Sequence, residues 1–285
     1  MEGGQSPYFK GYRDFLTGVL PSVGVQVRHD LYIYSGVERS TIPQGQLRVG
    51  LKPIANILGV TVVTPFEILG GNYAFSVRGA YTDLRADQTL VPPRPRPTVA
   101  RTGTLDGLND AVVTPFIVGW HSGPLHWNVA TSVWVPIGNY DKSRLANTGR
   151  NVWAWAPQFG ITYFDPKTGW EFSGAASYVN NYANRDTNYR SGNIAHFDFA
   201  VGKMLSRQFK LGAVGYFAQQ LTADSGTGAI FGDRKLRVAG LGPGATYAFL
   251  VNDVRVTLVA KYYREFSAQN TTQGDAGVLS VRAKF

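Results

Sequence analysis

Four histidines, His29, His121, His126 and His196, and the complete absence of cysteine limit the chemistry open to this chain. Without thiolates there is no disulfide framework, no sulfur nucleophile and no cysteine-based metal centre. The histidines are too far apart for a helical metal pair, so structural roles or the lining of a cavity outweigh metal binding, and no metal is expected. No Gly-x-Ser-x-Gly elbow occurs, and nothing sets a base beside a serine, so no residue is assigned a catalytic role. Asp224-Ser225-Gly226-Thr227-Gly228 carries oxygens suited to calcium but reads better as a turn. Gly240-Leu241-Gly242-Pro243-Gly244 is glycine-rich, yet Pro243 and the lack of a following helix speak against a phosphate cradle, and no cofactor is expected.

Charge is the more informative signal. Lysine and arginine number 28 against 19 acids, a net +9, but they fall singly through strand-like segments. No basic run with interleaved aromatics appears, which argues against nucleic acid. Mean hydropathy is only -0.12. No apolar run reaches the roughly 18 residues that a membrane-spanning helix needs. Met1-Glu2-Gly3-Gly4-Gln5-Ser6 lacks a basic region followed by an apolar core, so an exported protein would be read here in its mature form.

The polar residues recur at every second position, and that period identifies the elements that hold them. Val23, Val25, Val27, Leu31 and Ile33 alternate with Gln26, Arg28 and Asp30; Leu125, Trp127, Val129, Val133 and Val135 oppose His126, Asn128 and Ser132. Phe197, Phe199 and Val201 oppose His196 and Asp198, and Val254, Val256, Leu258, Ala260 and Tyr262 oppose Arg255, Thr257 and Lys261. The chain closes on Leu279, Val281, Ala283 and Phe285 against Ser280, Arg282 and Lys284. About twelve such segments fit the roughly 9 to 11 residues of a tilted membrane strand. Stretches 47–66 and 236–250 are strand-like but irregular.

Connections alternate in length. Tight joins at Leu69-Gly70-Gly71, Ser122-Gly123-Pro124, Asp165-Pro166-Lys167-Thr168-Gly169, Ser206-Arg207 and Asn252-Asp253 separate longer polar stretches at 35–45, 83–107, 136–150, 180–193, 222–233 and 267–274. The longest contains Pro92-Pro93-Arg94-Pro95-Arg96-Pro97, read as a stiff loop. Aromatics gather toward segment ends, where two interfacial girdles would run. The expectation is an all-β protein: a transmembrane antiparallel β-barrel of about twelve strands, with short periplasmic turns and longer extracellular loops, in a bacterial outer membrane.

A charge facing lipid costs about 2 to 4 kcal/mol for Arg or Lys at mid-depth, so the polar faces must line the lumen. That assigns Arg28, Asp30, Arg78, His126, Glu171, His196, Asp198, Arg237, Arg255, Lys261 and Arg282 to it. Their positive excess predicts a preference for anions. Residues 1–21 form a separate segment before the barrel of residues 22–285. Its Tyr8, Phe9, Tyr12, Phe15 and Leu16 have no strand pattern to bury them and are expected to fold back as a lumen plug. Pro53, Pro65, Pro115, Pro136 and Pro157 each remove a ladder donor, and at least one is expected to border a lateral opening in the wall.

At this point the chain resembles the outer-membrane channel family named for the meta-pathway of phenol degradation, from about Gly18 to Phe285. The segments that carry the resemblance include Gly18-Val19-Leu20-Pro21, Val133-Trp134-Val135-Pro136-Ile137-Gly138-Asn139-Tyr140, Asn147-Thr148-Gly149-Arg150-Asn151-Val152-Trp153, Thr187-Asn188-Tyr189-Arg190-Ser191-Gly192, Gly215-Tyr216, Asp224-Ser225-Gly226 and Gly240-Leu241-Gly242-Pro243. The resemblance implies a monomeric outer-membrane barrel, set in lipid and lipopolysaccharide, that passes small hydrophobic or aromatic solutes; the family's name suggests a degradative enzyme, but the sequence speaks against one because no catalytic constellation is visible in it. Two rival readings are a lipid-modifying outer-membrane enzyme and a non-conducting binding or adhesion barrel. A serine or histidine cluster at one interface would favour the first, and absent conductance the second.

Overall fold

A computed structural model describes residues 6–93, 95–230 and 233–285. Residues 1–5 of the N-terminal segment, Arg94 of the proline-rich stretch, and Phe231 and Gly232 of the 222–233 connection lie outside the described residues. The strands are β1 (Gly24–Ile42), β2 (Gly45–Ile68), β3 (Gly71–Val91), β4 (Val99–Leu108), β5 (Ala111–Ser122), β6 (Leu125–Val135) and β7 (Ala154–Phe164). They continue as β8 (Trp170–Asn181), β9 (Ile194–Met204), β10 (Phe209–Gln220), β11 (Arg237–Val251), β12 (Val254–Gln269) and β13 (Gln273–Lys284).

Neighbours in sequence are neighbours in the wall, and β1 pairs with β13 from Gln26–Lys284 to Val37–Gln273, which closes the sheet. The upper half of β3 pairs with β4 and its lower half with β5. Those two strands are one stave broken at Asn109 and Asp110, so thirteen strands make a twelve-staved antiparallel barrel.

Alternation sorts the side chains as the period requires. On β9, Phe197 is 46% exposed while its neighbours His196 and Asp198 are 4% and 2% exposed. On β7, Trp155, Phe159, Ile161 and Tyr163 face out, and Ala154, Ala156, Gln158 and Thr162 are buried inside. An outward band of large apolar groups is costly in water and favourable in hydrocarbon.

Two expected loops are strand instead. Stretch 35–45 completes β1, turns at Pro43-Gln44 and starts β2; stretch 83–107 is largely the paired arms of β3 and β4. The irregular stretch 47–66 lies wholly within β2, whose 24 residues are more than twice the roughly 9 to 11 needed to span a bilayer. Stretch 267–274 shrinks to a three-residue turn between Gln269 and Gln273. Beyond the membrane the outer face meets water, so Arg39, Thr41 and Arg48 stand there without an apolar alternation to advertise the strand. The inner face stays apolar, with Ile42, Leu47 and Val49 packed together against Leu51 and Leu90.

Leu258, on the outer face of β12, and Thr257, on its inner face, test this sorting. Leu258→Arg is expected to cost about 2 to 4 kcal/mol of folding stability in lipid vesicles, measured by denaturant titration, and Thr257→Arg clearly less.

Candidate functional site

Residues 6–20 run inside the barrel and bond to strands around most of its circumference. Tyr8 donates to Asp198 (2.6 Å), and the Gly11 N–H donates to the same carboxylate (3.1 Å). Lys261 donates to the Gly11 carbonyl (2.6 Å) and to Asp14 (2.7 Å), which also accepts from Arg282 at 2.6 Å. Lower down, the Leu16 N–H donates to Glu171 (2.6 Å), the Gly18 N–H to Thr162 (2.9 Å), and Asn128 to the Thr17 carbonyl (2.9 Å). Arg28 and Arg78 lie 4.0 and 4.1 Å from the centre of the Tyr12 ring, a double cation–π contact.

Two glycines make the close approach possible. Gly11 has φ +70, and a Cβ there would lie 2.7 Å from the Tyr263 ring; one on Gly18 would meet the Thr162 backbone nitrogen at 2.3 Å. Burial alone would push the Asp14 carboxyl up, but Arg282, Lys261 and Arg28 outweigh it and hold that carboxyl well below the usual carboxylate range.

Phe15 and Tyr8 are buried, and Phe9 and Tyr12 pack against the same apolar cluster. Leu16 departs from the expectation: it takes φ 58, stays 38% exposed and contributes its backbone N–H to Glu171 rather than its side chain to packing.

Nine of the eleven expected lumen residues sit deep on the inner face or at its lower edge. Glu171 is fully buried and ion-paired to Lys210, and His196 bonds to Ser6 Oγ (2.8 Å). Arg28 bonds to Asp30 (2.7 Å). His126 meets His121 directly across β5 and β6, Nδ1 to Nδ1 2.7 Å, a cross-strand pairing that sequence spacing conceals. Arg255 is the tenth, inward by alternation but exposed at the periplasmic rim opposite Lys284. Arg237 is a correction: it pairs with Gln219, in line with outward Phe217 and Leu241, and is exposed at the extracellular end. Its facing follows from the alternation of β11, where buried Val238 points in and Leu241 points out.

The expected positive excess is also largely neutralised. Glu265, Asp14 and Glu38 join the inner face and take Lys10 (2.5 Å), the Lys261–Arg282 cluster and Arg234. Extending the β12 alternation past Tyr262 would have found Glu265; Asp14 has no strand pattern to reveal it. Among the described residues no group of three or more metal-ligating side chains occurs.

Above residues 6–10 the lumen opens into a cavity of about 380 Å³. Its apolar lining includes Phe9, Tyr32, Leu84, Val112, Trp134 and Leu236, and the loop at 140–150 helps to close it. Trp134 is fixed by donating to the Pro7 carbonyl (3.0 Å). The volume lies within the range of about 300 to 1,000 Å³ usual for small-molecule sites.

The prolines divide into three kinds. Pro65 and Pro115 sit in bulges, where the β2–β3 register shifts between Val63 and Glu67 and the β5–β6 register between Val113 and Phe116. Pro136 follows the last residue of β6 and borders no break in the wall, because it merely ends a strand. Pro53 and Pro157 interrupt a ladder without shifting it: β1–β2 pairing skips from Ile33–Ile54 to Gly36–Leu51, and β7–β8 pairing from Trp155–Asn180 to Gln158–Ser177. At Pro157 the wall carries a hollow lined by outward Phe159, Tyr178 and Phe197 together with inward Gln158, Ser177 and His196. The Ser177 hydroxyl is buried there without a hydrogen-bond partner.

Closed antiparallel staves with an apolar outer band and a polar, occupied interior define a bacterial outer-membrane β-barrel. Residues 39–281 match the family described as "Putative MetA-pathway of phenol degradation", and the chain belongs to that family. The fold is similar to that of an outer membrane channel from Pseudomonas putida F1, with 12% identity, a TM-score of 0.72, and 94% of this chain and 97% of that one covered. It is also similar to the β domain of the Bordetella autotransporter BrkA, with 11% identity, a TM-score of 0.52, and 93% of this chain and 100% of that one covered. No curated protein matches the chain.

Asp14→Asn leaves Lys261 and Arg282 without their shared buried carboxylate, and breaking such a pair typically costs about 3 to 5 kcal/mol. The variant is expected to expose residues 6–20 to protease while the barrel stays folded. Because Asp14 is held below its ordinary value, its contribution is complete above about pH 3.9 and fades as pH falls further. The loss of this contribution should therefore appear as protease sensitivity of the wild-type segment that rises below about pH 4, a rise that the Asp14→Asn variant lacks.

Proposed function

We propose that this barrel is a passive channel for small hydrophobic or aromatic molecules, with residues 6–20 acting as a plug that divides the lumen. The observation that carries this reading is the aromatic cavity directly above the segment. A filled barrel built only for binding or adhesion would have no use for an open apolar chamber against its plug. A hydrolase would need a base beside a nucleophile; Ser6 Oγ and His196 Nε2 do meet at 2.8 Å beside the chamber, but with His196 only 4% exposed this pair ties the segment to the wall.

A solute resting against Phe9 and Trp134 meets the charged layer of Asp14, Lys261 and Arg282 below, so a straight aqueous descent is unfavourable for it. The wall at Pro157 offers a sideways route. Two consecutive pairings are missing there, and the hollow outside them joins lumen-facing to lipid-facing side chains. Ser6 and Arg13 of the plug bond to His196 and Gln158, both on the lining of that hollow. Movement of the plug and loosening of the wall are in this reading one event. The outer face, set in lipid and lipopolysaccharide, works as a monomer, since the route needs nothing from a second copy.

Two experiments test the proposal. Deleting residues 1–18 should raise single-channel conductance; an unchanged pore would refute the plug. A disulfide joining Ala156→Cys to Val179→Cys, opposite positions in the skipped stretch, should cut uptake of a neutral aromatic solute into vesicles and leave ion conductance intact. Full uptake with the bridge formed would exclude the route at Pro157.

A further inference from the structure

The chamber above the plug is apolar on its lower wall and cationic toward its mouth. Phe9, Tyr32, Val112 and Trp134 supply aromatic and aliphatic surface beneath, while Lys142, Arg144 and Arg150 enter the lining from the extracellular loop that closes it. Among the described residues only one carboxylate, Asp110, joins that lining, and its two oxygens are taken by the backbone N–H groups of Gly138 (3.1 Å) and Arg150 (2.9 Å). Lys10 is already committed to Glu265 (2.5 Å). Lys142 has no ion-pair partner among the described residues, and Arg144 has only an exposed contact with Asp141 at 3.7 Å.

The polar side of the same cavity holds a second, independent feature. Ser191 is 4% exposed, lines the cavity, and its hydroxyl is buried without a hydrogen-bond partner. The Tyr189 hydroxyl is comparably buried and, although close to Asp224 and Ser191, closes no hydrogen bond of normal geometry with either. Buried hydroxyls are ordinarily satisfied, so a pair left open on a cavity wall marks where a ligand's oxygen belongs. Cations at a mouth with low-dielectric walls concentrate anions there. A neutral hydrocarbon would use the rings and leave both the hydroxyls and the cations unanswered.

We propose that the cavity selects aromatic carboxylates: the ring lies against Phe9, Tyr32 and Trp134, and the carboxylate turns toward Ser191 and Tyr189 under the attraction of Lys142 and Arg144. The proposal rests on the reading of the barrel as a solute channel and adds a charge preference to it. Discrimination of this kind follows from building a site that hydrogen-bonds a polar group, because an analogue without that group strands the site's own donors.

Calorimetric titration of the full chain in lipid nanodiscs, with empty nanodiscs as the blank, tests it at pH 7 with 2-naphthoate and its neutral counterpart 2-naphthylmethanol as probes. Naphthoate is expected to bind about tenfold more tightly than the alcohol. The double variant Lys142→Gln, Arg144→Gln, at two exposed loop positions, should remove most of that preference and leave the alcohol's affinity within about twofold. Ser191→Ala should weaken naphthoate more than the alcohol, whose single hydroxyl has less to lose there. Equal binding of the two probes, or a preference that survives the double variant, overturns the carboxylate assignment and leaves the channel reading standing. Failure of both probes to bind overturns the two together.

Discussion

The closed backbone ladder is the constraint from which the rest of this molecule follows. In hydrocarbon every N–H and C=O must be paired within the protein, and the β1–β13 seam meets that demand for a sheet that would otherwise end in two open edges. Where prolines deny the ladder a donor, the wall compensates locally. Tyr73 donates its hydroxyl to the Pro115 carbonyl (2.7 Å), and Thr64 donates to the Tyr73 carbonyl (2.9 Å), so one strand supports the bulges on both its flanks. Among the described residues no such brace stands at Pro157, where the Ser177 hydroxyl has no hydrogen-bond partner.

Closure also creates an interior that must be balanced. Glu171, Asp198, Lys261 and Glu265 point inward because they cannot point outward, and once inside they need partners. The neighbouring strands supply some, as Lys210 does for Glu171, and Tyr34 (2.6 Å) and Tyr216 (2.7 Å) for Glu265. The N-terminal segment supplies the remainder through Tyr8, Lys10, Gly11 and Asp14. Segment and wall form one electrostatic unit: drawing the segment out strands charges on both sides, which gives it a definite resting place without any secondary structure of its own.

The tall extracellular arms of β1 to β4 have a further consequence. By carrying the inner face upward past the membrane they give the chamber high walls, and the loop at 140–150 fills the side that β4 leaves unpaired, with Asn139 and Thr148 both bonded to the Leu108 carbonyl. Spanning the membrane needs about half the length of β1, β2 and β3. The surplus length shapes the space above residues 6–10.

Period-two alternation alone determined the fold class, the number of staves and the inward direction of Arg28, Asp30, Glu171, His196, Asp198 and Lys261, because lipid on one side makes facing a binary choice with a high cost for error. The same logic lost its hold wherever the outer face left lipid. Arg39 and Arg48 look like loop residues only because water tolerates them, so the upper arms of β1 to β3 were invisible, and Arg237 faces outward at the extracellular end of β11, where the outer face again carries charge. Aromatic content pointed to the N-terminal segment as something in need of cover, but its partners depended on long-range pairing across as many as 268 positions, as between Asp14 and Arg282. The cavity is wholly a tertiary fact: Phe9, Tyr32, Trp134 and Ser191 share no local pattern, and they meet only because the closed ladder brings distant staves around one segment.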